Sequence, residues 1–393
     1  MHTVPYWRLS GFYFFYFAFV GAMSPFWGLY LKSLEFNAFQ IGVLMSLLQV
    51  MRIFAPNIWG WFADHTGRRV AIVQVAASLS LAVYVGVFLG TSFLWMFAVM
   101  SLMSFFWSAS LPLVEATTLS HLGDRTEKYG RIRLWGSIGF ILAVVGLGYV
   151  LDFAPIRFLL WAILGIMLGQ ALLARHIPEA RVMPHSSDQL PAWQVIKRPE
   201  VLAFIAASFF NAAAHGPYYT FYSIYLVDHG YAKSSVGWLW ALGVLIEILV
   251  FLCIPRLMRH FSLRHILLAS LALGVLRFLL IGWGINWLGL LLFAQVLHAA
   301  TFGSYQAAGI EVIHRLFRGK HQAKGQALYN SLSYGAGGTL GGLYAGYSWD
   351  VLGPQITFSI AAACAAVAFL LVYWKLKPQV TEPISFPSRP PAC

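Results

Sequence analysis

Three stretches of this chain, Leu9 to Leu31, Val70 to Gly90 and Val201 to Val227, contain no Lys, Arg, Asp or Glu. Each is long enough to cross about 30 Å of hydrocarbon, which takes roughly 20 helical residues. Similar runs with at most one or two charges begin near Phe39, Ser92, Leu134, Phe158, Val236, Ile266, Trp287, Ala327 and Ile356, which makes twelve. In lipid every backbone N–H and C=O must be satisfied internally, so only helices and closed barrels can span. Barrel strands alternate in polarity over about ten residues, and these runs do not alternate. The sequence therefore predicts an all-α integral membrane protein with twelve transmembrane helices.

Composition agrees, because 59% of the 393 residues are hydrophobic and only 10% are charged. A water-soluble domain of this size keeps far more charge on its surface. The first run is too long for a signal-peptide core and no small-residue cleavage site follows it, so it is read as helix 1. Cys253 and Cys364 lie in apolar runs and Cys393 is the last residue, which implies no disulfide framework.

The formal net charge of +12 raises the question of a nucleic-acid partner, and charge placement answers it. With the amino terminus taken as cytoplasmic, 21 of the 26 Lys and Arg fall on inner loops and termini, among them Arg181, Arg318, Lys320, Lys377 and Arg389. Lys32, Arg157 and Lys233 fall outside, and Arg52 and Arg277 lie within helices. Such asymmetry orients a membrane protein by the positive-inside rule. The basic balance is thus topological, with both termini cytoplasmic and no nucleic acid required.

The longest polar stretch between helices, residues 175–200, contains Pro178, Pro184, Pro191 and Pro199. It divides the chain into two six-helix halves, 1–174 and 201–374, with a cytoplasmic linker between them. Pro25-Phe26-Trp27, then Tyr30-Leu31, then Ile41-Gly42 is echoed by Pro217-Tyr218-Tyr219, Tyr225-Leu226 and Val236-Gly237. Parallel repeats of this kind build two halves around a central site. Glycines concentrate in helix 5 (Gly136, Gly139, Gly146, Gly148) and six helices later in helix 11 (Gly335 to Gly346), where they are expected to allow close packing. The tail, 375–393, is rich in proline and expected to be disordered.

Between helices 2 and 3 the chain reads Gly60-Trp-Phe-Ala-Asp64-His-Thr-Gly67-Arg68-Arg69. This resembles the G-x-x-x-D-x-x-G-R-R loop signature of the major facilitator superfamily, and the resemblance implies the major facilitator fold. Gly60 is expected to permit close approach, Asp64 to cap or pair at a helix end, and Gly67 to make the turn. The motif is read as conformational rather than substrate-binding.

Val114-Glu115-Ala116 is followed, with fourteen residues between Glu115 and Gly130, by Gly130-Arg131-Ile132-Arg133. This resembles the helix 4 to helix 5 region of the oligosaccharide/proton symporters typified by lactose permease. The resemblance implies a sugar-binding pair at Glu115 and Arg133. Thr301 and Gln295 flank His298 where that family has Glu and Lys, so lactose and a copied proton relay are both in doubt. A broader similarity runs to the phenylpropionate permease family. It is carried by Pro25-Phe26-Trp27, Tyr129 to Ser137, His215 with Tyr218-Tyr219, Val236 to Trp240, Glu247 and Leu297-His298.

Ionisable groups within spans cost about 2.5 to 3.5 kcal/mol each on insertion scales, so they are paired or functional. Five qualify: Arg52, Glu115, Arg133, Glu247 and Arg277. Glu115 and Arg133 are read either as a salt bridge at the cytoplasmic end or as substrate ligands. Arg52 and Arg277 are read as packing partners of interior carboxylates or as site residues. His215 and His298 are ordinary interior histidines on the plainer reading, and Trp27 and Tyr218 are core aromatics or cavity lining.

With both carboxylates ionised this set sums to one surplus positive charge, which favours an anion, and abundant aromatics favour a ring. The expected function is proton-coupled symport of a small aromatic carboxylate. Glu115, Arg133, Arg52, His215, Tyr218 and Trp27 are expected at the substrate, and Glu247, Arg277 and His298 at the proton. The expected energy source is the proton gradient, without cofactor or metal, in a protein that works as a monomer. The alternatives are a sugar or nucleoside symporter and an efflux antiporter. An enzyme is disfavoured, since no D-D-x-x-D or H-E-x-x-H pattern occurs. The absence of any N-x-[ST] acceptor and the short outer loops suggest a bacterial inner membrane.

Overall fold

The computed structural model describes residues 4–123, 125–180, 193–317 and 322–376. The prolines and Arg181 within 181–192, Arg318, Lys320, and the tail from Lys377 with Arg389 and Cys393 lie outside the described residues. The described residues are mostly helical, and no strand occurs among them.

Among the described residues, nine helices are long and apolar enough to cross a membrane: α1 (Tyr6–Ser33), α2 (Ala38–Thr66), α3 (Arg69–Phe88), α4 (Phe93–Leu122), α5 (Tyr129–Phe153), α8 (Lys233–His260), α9 (Leu263–Trp283), α10 (Leu288–Leu316) and α12 (Pro354–Lys375). The shorter α6 (Phe158–Ala174) is also apolar. The last two of the twelve are interrupted. α7 (199–228) breaks at His215 into Pro199–Ala214 and Gly216–Asp228, and α11 (322–352) holds a π-helical stretch, Asn330–Gly337. A second π-helical stretch, Ala299–Ser304, lies inside α10.

Helix ends follow local chemistry. Asn37 accepts from the Gln40 backbone N–H while the Gln40 side chain accepts from Asn37, a capping box that starts α2. Gly67 ends α2 with φ 63°, the left-handed conformation in which a Cβ is strained. Ser92 and Ser262 cap α4 and α9. α5 begins at Tyr129 rather than at the start of its apolar run near Leu134, so its first turns carry Arg131 and Arg133 on a helix.

The chain forms two compact units, and they do not follow the division at 175–200. Unit 1 comprises Met1–Asp188, His215–Ala241 and Gly338–Thr357, and unit 2 comprises Gln189–Ala214, Leu242–Gly337 and Phe358–Cys393. Residues 215–241 and 338–357, which follow 175–200 in sequence, therefore pack with the residues that precede it.

Unit 1 is built on backbone contact between helices. A Cβ on Gly21 of α1 would sit 2.6 Å from the Phe140 carbonyl oxygen of α5, and one on Gly139 would overlap the Phe14 carbonyl. Without a hydrophobic driving force in lipid, such close approach supplies the packing energy. Of the helix 5 glycines singled out in the sequence, Gly136, Gly139 and Gly148 meet neighbours, whereas Gly146 faces open space.

Unit 2 has its own core. Phe204 stacks on Tyr329 with centroids 5.9 Å apart, and the Ser208 and Tyr305 hydroxyls hydrogen-bond at 2.9 Å. Outside these contacts large apolar side chains stay uncovered, such as Phe153 at 93% and Leu94 at 77% exposure. Water would penalise them; lipid does not.

Candidate functional site

Tyr13, Tyr16 and Phe17 are spaced i, i+3 and i+4 on α1, so they share one face. Opposite them α4 presents Glu115 and Thr118, and α5 presents Tyr129 and Arg133. Glu115 lies seven residues before the end of α4 and Arg133 four residues into α5. At 1.5 Å per residue that places the carboxylate about 10 Å inside its helix end.

Arg133 Nε approaches Glu115 Oε1 at 3.7 Å, with both side chains about one-third exposed. The Tyr129 hydroxyl donates to the same oxygen at 3.2 Å. The guanidinium lies 4.0 Å from the Phe17 ring centroid and 5.5 Å from that of Tyr13. Gly136, one turn beyond Arg133, leaves the room this requires, since a Cβ there would meet Phe17 at 2.7 Å and Arg133 Nη1 at 3.1 Å. Tyr13 and Thr118 hydrogen-bond at 3.3 Å, and Tyr16 stacks on Trp107 at 4.3 Å.

Among the described residues neither Arg133 Nη1 nor Nη2 has a hydrogen-bond partner, while Nε faces Glu115. A guanidinium presented in this way offers its two-pronged edge to a carboxylate. Arg52 is exposed on α2, and together with Glu115 and Arg133 it lies within electrostatic reach of Tyr16.

Other expected substrate residues lie elsewhere in unit 1. Trp27 is fully buried, donates to Met100 Sδ at 3.2 Å and packs on Tyr30 and Tyr84. Its indole N–H is already used, so it serves packing in this conformation. Tyr218 is buried between Tyr222 and Trp240, at 4.9 and 4.7 Å. His215 is buried at the break in α7, with its ring 6.2 Å from Tyr219. Among the described residues, the hydrogen bonds and ion pair of Glu115 and Arg133 run to each other and to Tyr129, not to these three.

The expected proton-coupling residues are in unit 2. Arg277 is completely buried; its Nε donates to the Ala294 carbonyl of α10 at 3.1 Å and it lies over Phe278. His298 stacks on Phe302 with an interplanar angle of 7° at the start of the π-helical stretch. Two glycines make room for these groups. A Cβ on Gly243 would meet the His298 ring at 3.1 Å, and one on Gly303 would meet Glu247 Cγ at 3.0 Å.

The loop motif is only partly as expected. Gly67 makes its left-handed turn. Gly60, in contrast, has no neighbour close enough to need a glycine, and Asp64 is exposed without a described hydrogen bond or ion pair. Arg68 is also exposed, and Arg69 opens α3. Glu311 pairs with Arg315 one turn on at 2.8 Å, an interfacial helix pair.

Tyr13, Tyr16 and Phe17 were not singled out from the sequence. Their i, i+3, i+4 spacing is the signal that could have found them, but the surrounding run is apolar on every side.

A family model, the MFS_1 like family, matches residues 6–360. The chain belongs to this family. A protein of Escherichia coli (strain K12) described as "Probable 3-phenylpropionic acid transporter" is 28% identical over 366 residues, covering 91% of this chain and 95% of that protein. The maltose permease of Geobacillus stearothermophilus is 25% identical, covering 92% and 93%. The crystal structure of nucleoside transporter NupG superposes with a TM-score of 0.83 at 19% identity, covering 94% of this chain and 98% of that one. The fold is thus that of the major facilitator transporters, and the chain is a secondary transporter rather than an enzyme.

Proposed function

We propose that the chain carries a small aromatic monocarboxylate, of the 3-phenylpropionate kind, by proton-coupled symport. The observation that carries this reading is the Arg133 guanidinium, which lies on Phe17 beside Tyr13 with both Nη groups uncommitted. Its free edge suits a carboxylate, and the partly exposed Phe17 ring beside it suits an aryl group. Glu115, whose Oε1 also accepts the Tyr129 hydroxyl, engages Nε and so orients the free edge. Arg52 adds positive charge to the same space. Similarity to the phenylpropionate relative points to the same substrate class.

Glu247 carries the coupled proton in this reading. Coupling needs a group whose protonation changes the relative stability of two access states. A carboxyl on a membrane helix held against Gly303, in the unit that also buries Arg277 and His298, meets that need. The protein acts as a monomer in a bacterial inner membrane, with both termini cytoplasmic, and takes its substrate inward.

Maltose and nucleoside relatives give the competing reading of a neutral polyhydroxylated substrate. Binding of 3-phenylpropionate, maltose and uridine to the purified protein, followed by isothermal titration calorimetry, separates them. Heat from 3-phenylpropionate alone is expected; binding of maltose or uridine in its place sinks the proposal.

A further inference from the structure

The sequence Gly148-Tyr-Val-Leu-Asp152 at the end of α5 recurs as Gly346-Tyr-Ser-Trp-Asp350 at the end of α11, six helices later. Both copies lie in unit 1, and each docks on the first turn of a helix from the opposite sequence half. Asp152 Oδ1 accepts the Lys233 backbone N–H at 2.7 Å, and Oδ2 accepts that of Ser234 at 3.2 Å, at the start of α8. Asp350 Oδ2 accepts the Ala38 backbone N–H at 3.0 Å, at the start of α2.

The glycines repeat the same relation. A Cβ on Gly148 would lie 2.7 Å from the Lys233 carbonyl oxygen, and one on Gly346 would lie 2.8 Å from that of Ala38. One turn further in, a Cβ on Gly237 of α8 would lie 2.6 Å from the Val144 carbonyl, and one on Gly42 of α2 would lie 2.6 Å from the Gly342 carbonyl. So α5 grips α8 as α11 grips α2, atom class for atom class.

We propose that Asp152 and Asp350 are a matched pair of gating residues, one clasp per repeat, that together hold this end of the transporter shut. The first N–H groups of a helix lack partners within it and carry its partial positive charge. A carboxylate satisfies them with charge-assisted bonds as long as the two backbones stay in contact. Separation of the repeats at this end strands those N–H groups and carboxylates until water reaches them, and both clasps must release in the same event. The Asn37–Gln40 box serves the backbone N–H groups of Asn37 and Gln40 at the α2 start, and Asp350 adds a partner for that of Ala38.

Lys32 and Asp228 add a third link across the same halves, with Nζ 2.7 Å from Oδ2. Both side chains are nearly half exposed, and such surface pairs contribute little. The clasps, not this pair, set the balance. Lys32, Glu35, Asp228 and Lys233 are charged groups at the neighbouring helix ends, and the clasps themselves use backbone donors.

Spin labels at Ser33→Cys and Ala232→Cys report the separation of the two halves at this end, in full-length protein with Cys253, Cys364 and Cys393 replaced by Ser, in lipid nanodiscs. Pulsed electron–electron distance measurement should give mainly one short distance. Asp152→Ala or Asp350→Ala should each raise the long-distance fraction relative to the short one about five-fold, the scale of losing one helix cap, and together about twenty-five-fold. Asn at either position, which keeps one acceptor, should restore most of the short population, and Lys32→Ala should change it little.

Gly148→Ala with Gly346→Ala pushes the same contacts apart without touching the carboxylates and should also raise the long-distance fraction. This pair decides the matter if the aspartate variants fail to fold. A wild-type distribution in the double aspartate variant, or in the glycine pair should the aspartate variants not fold, overturns the proposal. A shift for Lys32→Ala as large as for the aspartate variants does so too.

Discussion

Arg133 rests its guanidinium 4.0 Å from the centre of the Phe17 ring, so an α5 cation is held in place by an α1 aromatic. That contact fixes the plane of the fork, while Glu115 engages Nε from α4. Recognition then depends on the fork as well as the charge. Arg133→Lys keeps the charge and loses the two-pronged edge. Its dissociation constant for 3-phenylpropionate should rise at least about ten-fold, equivalent to about 1.4 kcal/mol. Calorimetry on the purified variant checks this, and wild-type affinity would show that Arg133 is not a ligand.

Gly139→Ala tests the packing on which that arrangement stands. Its Cβ would overlap the Phe14 carbonyl, which belongs to backbone and cannot rotate away. Overpacking of this kind costs about 1–3 kcal/mol. The variant should melt several degrees lower in detergent, whereas Gly146→Ala, facing open space, should match the parent.

Glu247→Gln mimics the protonated carboxyl. It should abolish accumulation driven by a proton gradient and leave substrate exchange without a gradient intact. Counterflow and gradient-driven uptake, measured on the same proteoliposomes, separate the two. Retained accumulation would reject Glu247 and move attention to His298, His215 or Glu115.

Topology is testable without substrate. Lys32→Cys and Lys233→Cys, in a background lacking Cys253, Cys364 and Cys393, should each react with an impermeant thiol reagent in intact cells. Reaction only after lysis would reverse the assignment of the two faces.

The helices were legible because span length and exclusion of charge are properties of single stretches. The pairing of Glu115 with Arg133 was legible through motif spacing. Tyr13 and Phe17 were not, because an aromatic on an apolar helix looks alike whether it faces core, lipid or cavity. Trp27 shows the same ambiguity, since the sequence leaves it as core aromatic or cavity lining and in this conformation it is buried with its indole N–H on Met100. The division at 175–200 is the one the sequence suggests. The compact units depart from it because glycine-mediated backbone contacts join α5 to α8 and α2 to α11, and sequence spacing does not report such long-range contact. Gly60 illustrates a motif residue whose expected neighbour is absent among the described residues.

Uptake of labelled 3-phenylpropionate into proteoliposomes, with and without an imposed inward proton gradient, tests proton-coupled aromatic-acid transport most directly. Accumulation above the outside concentration is expected only with the gradient, with competition by other small aromatic acids and none by maltose or uridine. Uptake indifferent to the gradient, or driven equally well for maltose or uridine, would contradict it.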